Sequence, residues 1–422
     1  MATNQRRTNQ STTANRSREG QHHATAQAKA MSQKKKSKVK LIVFAIEIVI
    51  ILIMLAGLYF VLNISDKGPI FIEISEDPLE MGVANEIIQA KEDGSSQMSD
   101  YMNIALFGVD ALNEKQFRRL QENEKKDEGT KSTGIRSDST MIASVNLKTG
   151  DIKLVSVYRD TYLNIGTDTY QKCNAAFSKG GPKQAIKMLN MNLDLDIEKF
   201  VAVSYGGVIE LIDALGGVWI DVDKSELNYI NNYQISIVAS WKYGIQLTDD
   251  TDPSVFKVVK KDDYTPVTET GYQLLNGLQA TAYCRIRYTA GNDYKRAERQ
   301  REVLGAIEAQ AKALAKKNPA ELTKIFNSVI ENVCTNMDVK DMLVLLEKIL
   351  DYQIVAQDGF PQADLRTSKT IGAKGDCVIP RDLETNVVWL HKFLFEEDYE
   401  VSKTVKEINQ KIKTDTDKYI NN

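Results

Sequence analysis

Residues 101–110 read YMNIALFGVD, nine residues without a charge followed by Asp110. Such a run reads as a buried β-strand. Working outward, residues 139–146 and 151–158 are strand-like and are joined by the turn Lys148-Thr149-Gly150. Residues 113–131 between them and the first strand form a charged insertion with little apolar periodicity. Residues 182–190 read as helix and 201–205 as strand. Residues 207–215 are amphipathic and stop at Gly216-Gly217, a helix C-terminal signal. Residues 218–222 return as strand, and 281–288 read as another. A long helix follows over 294–317, with Val303, Leu304, Ile307, Ala311 and Leu314 at helical spacing. Strands alternating with helices predict an α/β or α+β layered domain. Beyond residue 317, segments 320–332, 339–352 and 386–395 read as helices around a loop-rich stretch.

The 422 residues carry 54 Lys+Arg against 57 Asp+Glu, and their hydrophobic fraction of 42% is too high for a wholly disordered chain. With three His, two of them (His22, His23) in a polar tail, the sequence leaves little for His-based catalysis or His-rich metal sites. Residues 1–40 hold ten Lys/Arg and one acid, Glu19, among Gln, Ser, Thr and Asn, and are expected to be disordered. Residues 41–62 read LIVFAIEIVIILIMLAGLYFVL, with Glu47 as the one charge. At about 1.5 Å per residue this stretch reaches roughly 33 Å, the hydrocarbon thickness of a bilayer. The basic cluster from Lys34 to Lys40 puts the tail in the cytoplasm and the acidic remainder outside. Glu47 is either a functional intramembrane acid or, the plainer reading, a group near the inner interface or protonated. The tail alone would also suit nucleic acid. The span between it and the outer domain, and the lack of a helix-turn-helix, argue against that partner. The expected organisation is a basic tail (1–40), a transmembrane helix (41–62), a stalk (63–100), a catalytic domain (101–317) and a helical extension (318–422).

Four segments place charges at strand ends: Gly108-Val109-Asp110, Arg136-Ser137-Asp138-Ser139, Tyr158-Arg159-Asp160-Thr161, and Arg285-Ile286-Arg287 followed by Asp293, Arg296, Arg299 and Gln300. On a strand Arg285 and Arg287 share a face. On a helix Arg296, Arg299 and Gln300 lie on one side, and the helix N-terminus adds partial positive charge. Converging guanidinium groups repel unless a polyanion sits among them, and their forks match phosphate oxygens. Asp110 and Asp138 could hold Mg²⁺, which takes few carboxylates plus substrate phosphates. Arg with Mg²⁺ at a phosphoryl group describes phosphoryl transfer. The plainer alternative is a set of ordinary surface salt bridges.

These segments, with LVSVYRDTYLNI, KCNAAFSKGGP, DALGGVWIDV, LNGLQATAYCRIRY and NDYKRAERQREVL in this order behind one span, resemble the LytR-CpsA-Psr (LCP) family of cell-wall glycopolymer ligases. The resemblance runs from about residue 103 to 304 and implies an α/β (α+β) fold with a central mixed sheet flanked by helices. It implies that Asp110 and Asp138 bind Mg²⁺ and that Arg136, Arg159, Arg285, Arg287 and Arg296 surround the pyrophosphate of a polyprenyl-linked glycan. Asp160, Asn174, Asp293, Arg299 and Gln300 match further polar positions of its motifs. Two departures stand out: Tyr158 where the family usually has Pro, and the insertion 113–131 beside the site.

The resemblance further implies a cell-membrane protein whose partners are a polyprenyl-pyrophosphate-linked glycopolymer, peptidoglycan and membrane lipid. A peptidoglycan sugar hydroxyl would attack the sugar-proximal phosphorus and release polyprenyl phosphate. Asp160 or Asp293 could orient or deprotonate that hydroxyl, with Arg159 and Arg296 stabilising charge. Phe200, Val203, Ile209, Leu211 and Ile212 suit an apolar slot for the lipid and suit a plain core equally. Two other functions fit the same residues: a non-catalytic binding or regulatory module for the lipid-linked glycan, and a lipid pyrophosphate hydrolase. The cysteines all fall in the outer part. Cys173 with Cys284 and Cys334 with Cys377 is the expected pairing, since Cys173 and Cys284 lie in converging motifs; buried thiols are the alternative.

Overall fold

The computed structural model describes residues 69–110, 118, 120–121, 134–245, 258–287, 292–318, 321, 324–325, 328–346 and 353–420. The basic tail and the apolar stretch 41–62 lie outside the described residues, as does nearly all of the insertion 113–131. Among the described residues no helix is long and apolar enough to cross a membrane.

The strands are β1 (Ile70–Phe71), β2 (Tyr101–Val109), β3 (Ser137–Asn146), β4 (Asp151–Val157), β5 (Tyr162–Asn164), β6 (Tyr170–Lys172), β7 (Lys199–Ser204), β8 (Val218–Val222), β9 (Gly271–Leu275), β10 (Val333–Thr335), β11 (Gln353–Phe360), β12 (Arg366–Thr370) and β13 (Asp376–Pro380). The helices are α1 (Asn85–Glu92), α2 (Asn174–Leu193), α3 (Tyr205–Ala214), α4 (Leu227–Tyr243), α5 (Gly277–Arg285), α6 (Asn292–Lys317), α7 (Val339–Leu346), α8 (Leu383–Phe395) and α9 (Lys403–Ile420). Among the described residues a mixed sheet of seven strands runs β1-β10-β7-β2-β3-β4-β11, and β5–β6, β8–β9 and β12–β13 form two-stranded sheets.

The apolar run of β2 is central because both its faces are covered. Ala105, Phe107 and Val109 join one buried cluster while Ile104 joins another across the sheet. Phe107 meets Phe177 of α2 edge to face at 5.2 Å; burying such a ring contributes roughly 1.5–3 kcal/mol. A third cluster unites α3, α4, α5, α6 and the β8–β9 pair. β2 runs parallel to β7 and antiparallel to β3, β3 is antiparallel to β4, and β4 is parallel to β11. The carboxyl ends of β2, β7, β4 and β11 therefore share one edge with the start of β3. Ligands of open α/β sheets bind outside such an edge.

Several expectations are corrected. Residues 277–285 are helix, where 281–288 reads as strand. Asn276 Oδ1 accepts from Gln279 N and Gln279 Oε1 from Asn276 N, both at 2.9 Å. This capping box launches a turn that the apolar alternation of 283–286 conceals. The segment after residue 317 supplies β10 and β11 to the central sheet and packs α8 and α9 on its core, so it is more than a helical extension. Residues 69–100 are likewise packed: Ile70, Ile72, Met81, Ile87 and Met98 are buried in the same cluster. The helix read over 182–190 begins at Asn174 and is broken at Gly181, whose φ of 62° favours glycine, before Pro182 restarts it.

All four cysteines are thiols, not the two expected bridges. Cys173 and Cys284 belong to different apolar clusters. Cys334 lies on β10 of the central sheet and Cys377 on the separate β12–β13 hairpin. The Cys173 thiol donates to Tyr158 O at 3.2 Å. Burial, then Glu302, pushes Cys284 up to about 12, and burial pushes Cys377 up to about 11, so both are held as thiols.

Candidate functional site

Asp110 follows β2, and its backbone is tied reciprocally to the strand opposite. Its N–H donates to Arg136 O at 3.0 Å, and its Oδ1 accepts from Arg136 N at 2.6 Å. The register then jumps from Val109↔Ser137 to Gly108↔Ser139, leaving Asp138 as the extra residue of a β-bulge. Bulges beside sites re-aim a side chain. Here the carboxylate turns toward Arg159, which leaves the end of β4, with Nη1 to Oδ1 at 2.7 Å. The other Asp138 oxygen accepts from the hydroxyl of Tyr205. Tyr205 opens α3, whose cap is Ser204 at the end of β7, with Ser204 Oγ accepting from Gly207 N at 3.0 Å.

Arg285 ends α5, and its guanidinium lies over the rings of Tyr205 at 5.1 Å and Tyr233 at 5.6 Å. Arg296 of α6 is buried, at 4% exposure. Burial alone would raise the Asp138 carboxyl. The charges of Arg159, Arg296 and Arg285, aided by the Tyr205 hydroxyl, overcome this and hold it well below the usual carboxylate range. Asp110 behaves oppositely. Burial first, and then the Asp138 charge, pushes it up to about 6.

Asp160 forms a second node. Its Oδ2 accepts from Arg287 Nη2 at 2.8 Å, and its Oδ1 meets Lys172 Nζ of β6 at 3.4 Å. Gln300 Nε2 reaches Asp138 O at 3.5 Å and Cys284 O at 3.4 Å, fastening α6 to both segments. Asn174 is buried at the start of α2, and its N–H donates to Arg159 O at 3.2 Å.

The fold thus gathers Asp110, Asp138, Arg159, Asp160, Arg285, Arg287, Arg296, Asn174 and Gln300 at the carboxyl edge of the sheet. Arg136 contributes its backbone there and exposes its side chain. Arg299 faces away: its Nε donates to Glu226 Oε1 at 2.7 Å and its Nη1 to Ile286 O at 3.2 Å, inside the protein. The side chain of Asp293 lies outside the described residues. Of the five residues considered for a lipid slot, Phe200 joins one apolar cluster, Val203 packs on a second, and Ile209, Leu211 and Ile212 belong to a third. Sequence reasoning missed Tyr205, Tyr233 and Lys172. Tyr205 was discoverable as the first helical residue after a strand, behind a Ser cap.

Two adjacent carboxylates, one raised by burial and then by the charge of the other, suit a hard divalent cation, which relieves their repulsion. Among the described residues no group of three or more His, Cys, Asp or Glu is placed to hold a metal. A cation on Asp110 and Asp138 would complete its shell with water and phosphate oxygens, the habit of Mg²⁺.

A mixed sheet carrying clustered arginines and braced carboxylates at one edge defines an α/β protein whose charged site lies at the carboxyl ends of its strands. More particularly, the chain belongs to the LytR_cpsA_psr family, whose model matches residues 75–371. Biofilm regulatory protein A of Streptococcus mutans is 30% identical over 224 residues, 51% of this chain and 48% of that protein. The polyisoprenyl-teichoic acid–peptidoglycan teichoic acid transferase TagV of Bacillus subtilis is 29% identical over 52% of this chain and 49% of its own length. The transferase TagU of Enterococcus faecalis is 31% identical over 54% of this chain and 62% of its own. The chain therefore spans about half to three-fifths of the length of these relatives. A crystal structure of a Streptococcus agalactiae protein shares the fold, with a TM-score of 0.50 and 24% identity over 75% of this chain and 94% of that one.

Proposed function

We propose that this protein is a membrane-anchored phosphotransferase that moves a glycopolymer from a polyprenyl pyrophosphate carrier to a peptidoglycan sugar hydroxyl. The observation that carries this reading is the convergence of Arg159, Arg285 and Arg296 on Asp138 beside Asp110. A diphosphate entering there replaces carboxylate contacts with phosphate contacts for guanidinium groups already oriented by their neighbours. That two relatives are named teichoic acid transferases supports the chemistry.

In the reaction, the acceptor hydroxyl attacks the sugar-proximal phosphorus. A new P–O bond forms to the wall sugar, the bridging P–O bond breaks, and polyprenyl phosphate carries away the electron pair. The hydroxyl proton passes to a carboxylate, Asp160 or Asp293. Arg159, Arg285 and Arg296 bind the charge that grows on the phosphoryl oxygens, while Asp160 holds Arg287 and Lys172 in place. Mg²⁺ on Asp110 and Asp138 would add charge neutralisation at those oxygens.

The reading places residues 1–40 in the cytoplasm, spans the membrane with 41–62, and sets the site near the outer leaflet, where lipid carrier and wall meet. The full-length protein in detergent micelles, mixed with lipid-linked glycopolymer, Mg²⁺ and peptidoglycan oligomers, should yield covalent product, lost in Arg159→Ala and Arg285→Ala. Lipid retention without product would support a binding module instead, and free glycan phosphate a hydrolase.

A further inference from the structure

The third-segment arginine and aspartate are flanked by a structure that neither the family motifs nor the transfer chemistry requires. Arg366, which opens β12, lays its guanidinium 4.7 Å from the ring centre of Tyr158 and 3.8 Å from that of Tyr294. Its Nη1 donates to Tyr158 Oη at 2.8 Å and to Pro361 O at 2.9 Å. The two rings meet edge to face at 4.7 Å. The Tyr294 hydroxyl shares a hydrogen bond of 2.8 Å with Ser368 Oγ, two residues along β12. Tyr158 is buried, and its seat depends on glycine at 359, because a Cβ there would run into the Tyr158 hydroxyl.

The same hairpin grips the chain on the other side of Arg159. Val378 N on β13 donates to Asp160 O at 2.9 Å, and Thr161 bridges Val378 in parallel. Arg159 is thus strung between two residues that the β12–β13 hairpin holds, one through a side-chain stack and one through the backbone. Tyr294, the far wall of the stack, stands two residues before Arg296 on α6. One guanidinium therefore fixes the strand end bearing Arg159 against the helix bearing Arg296.

We propose that Arg366 is a positioning residue for the transfer reaction, setting the distance between Arg159 and Arg296 through the Tyr158–Arg366–Tyr294 stack. This rests on the transferase reading. A misplacement of about 1 Å among reacting groups costs roughly 100-fold in rate. Lysine keeps the charge of arginine but lacks the flat, forked head that stacks and donates together. A role in charge alone and a role in positioning therefore part at Arg366→Lys.

The test uses the full-length protein in detergent micelles with lipid-linked glycopolymer and peptidoglycan oligomers, measuring kcat, KM for the lipid donor and Tm. Arg366→Ala and Arg366→Lys should both lower kcat by roughly 10- to 100-fold with KM little changed. Ser368→Ala, which cuts only the tether to Tyr294, should lower kcat less, with Tm near wild type. Recovery of wild-type kcat in Arg366→Lys overturns the proposal in favour of charge, and unchanged kcat in all three variants overturns it outright. Should Arg366→Ala fail to fold, the lysine and serine variants still decide. An inactive wild type sinks the transferase reading itself, whereas an active wild type with indifferent variants sinks only the positioning role.

Discussion

Arg299 and Glu226 meet inside the protein, Nε to Oε1 at 2.7 Å, with side chains only 2% and 5% exposed. Arg296, three residues earlier on the same helix, instead acts on Asp138. Two arginines one turn apart in a single motif therefore serve different ends, one the site and the other the scaffold beneath it. Removing one partner of such a pair leaves a buried charge, at a cost of about 3–5 kcal/mol. Arg299→Ala should therefore lower urea-unfolding stability by that order while the folded fraction still binds polyprenyl pyrophosphate with wild-type affinity. Equal stability with lost affinity would return Arg299 to the substrate.

Asp110 and Asp138 make a metal-dependent prediction. The folded value for Asp110, about 6, lies above its unfolded value near 3.9. The unfolded chain thus releases this proton first. The group's contribution to stability is fully present below about pH 4 and is lost as pH rises through about 6 in metal-free protein. Asp110→Asn should raise Tm at pH 7 in chelator. Mg²⁺ should raise the Tm of the wild type at that pH and leave Asp110→Asn unmoved. An equal Mg²⁺ response in both would exclude Asp110 as a ligand.

The position of Arg285 depends on a local signal nine residues away, the Asn276 cap. Asn276→Ala removes the cap of α5, at about 1 kcal/mol, measurable by urea unfolding. Gly277→Ala should be far worse, because a Cβ there falls 2.8 Å from Ile209 Cα in the backbone of α3. Comparable small effects for the two would mean that α5 does not rest on α3 as closely as the structure has it.

What the sequence made legible follows the range of the forces involved. The buried strand β2 declares itself because both faces are apolar, and Asp110, Asp138 and Arg159 are readable as charges stranded at the ends of apolar runs. The helix α5 was obscured because Tyr283, Cys284, Arg285 and Ile286 mimic alternation, while the reciprocal Asn276–Gln279 bonds decide the backbone upstream. Arg299 could not be separated from Arg296, since its partner Glu226 lies 73 positions earlier in the chain. β11 stayed hidden because its sequence, QIVAQDGF, is half polar, as befits an edge strand paired only with β4. Lys172 and Arg366 reach the site only through tertiary contacts, which no local pattern encodes.

Away from the site, His391 on α8 provides an acid-sensitive lock. Its ring is fully buried, Nε2 lies 3.1 Å from Leu193 O, and Tyr399 stacks on it at 3.6 Å. Burial pulls it down to about 4, against the weaker opposing pull of the Leu193 and Asp194 backbone. Between that value and the unfolded one near 6.5, the unfolded chain takes up a proton that the folded protein refuses. Stability from this group is therefore present above about pH 6.5 and declines as pH falls toward 4, by about 3 kcal/mol in all. Urea unfolding across that range should show the decline in the wild type. Replacement by a ring that cannot titrate, His391→Phe, should flatten it, whatever the absolute stability of the variant. An undiminished slope in His391→Phe would assign the acid sensitivity to the carboxylates instead.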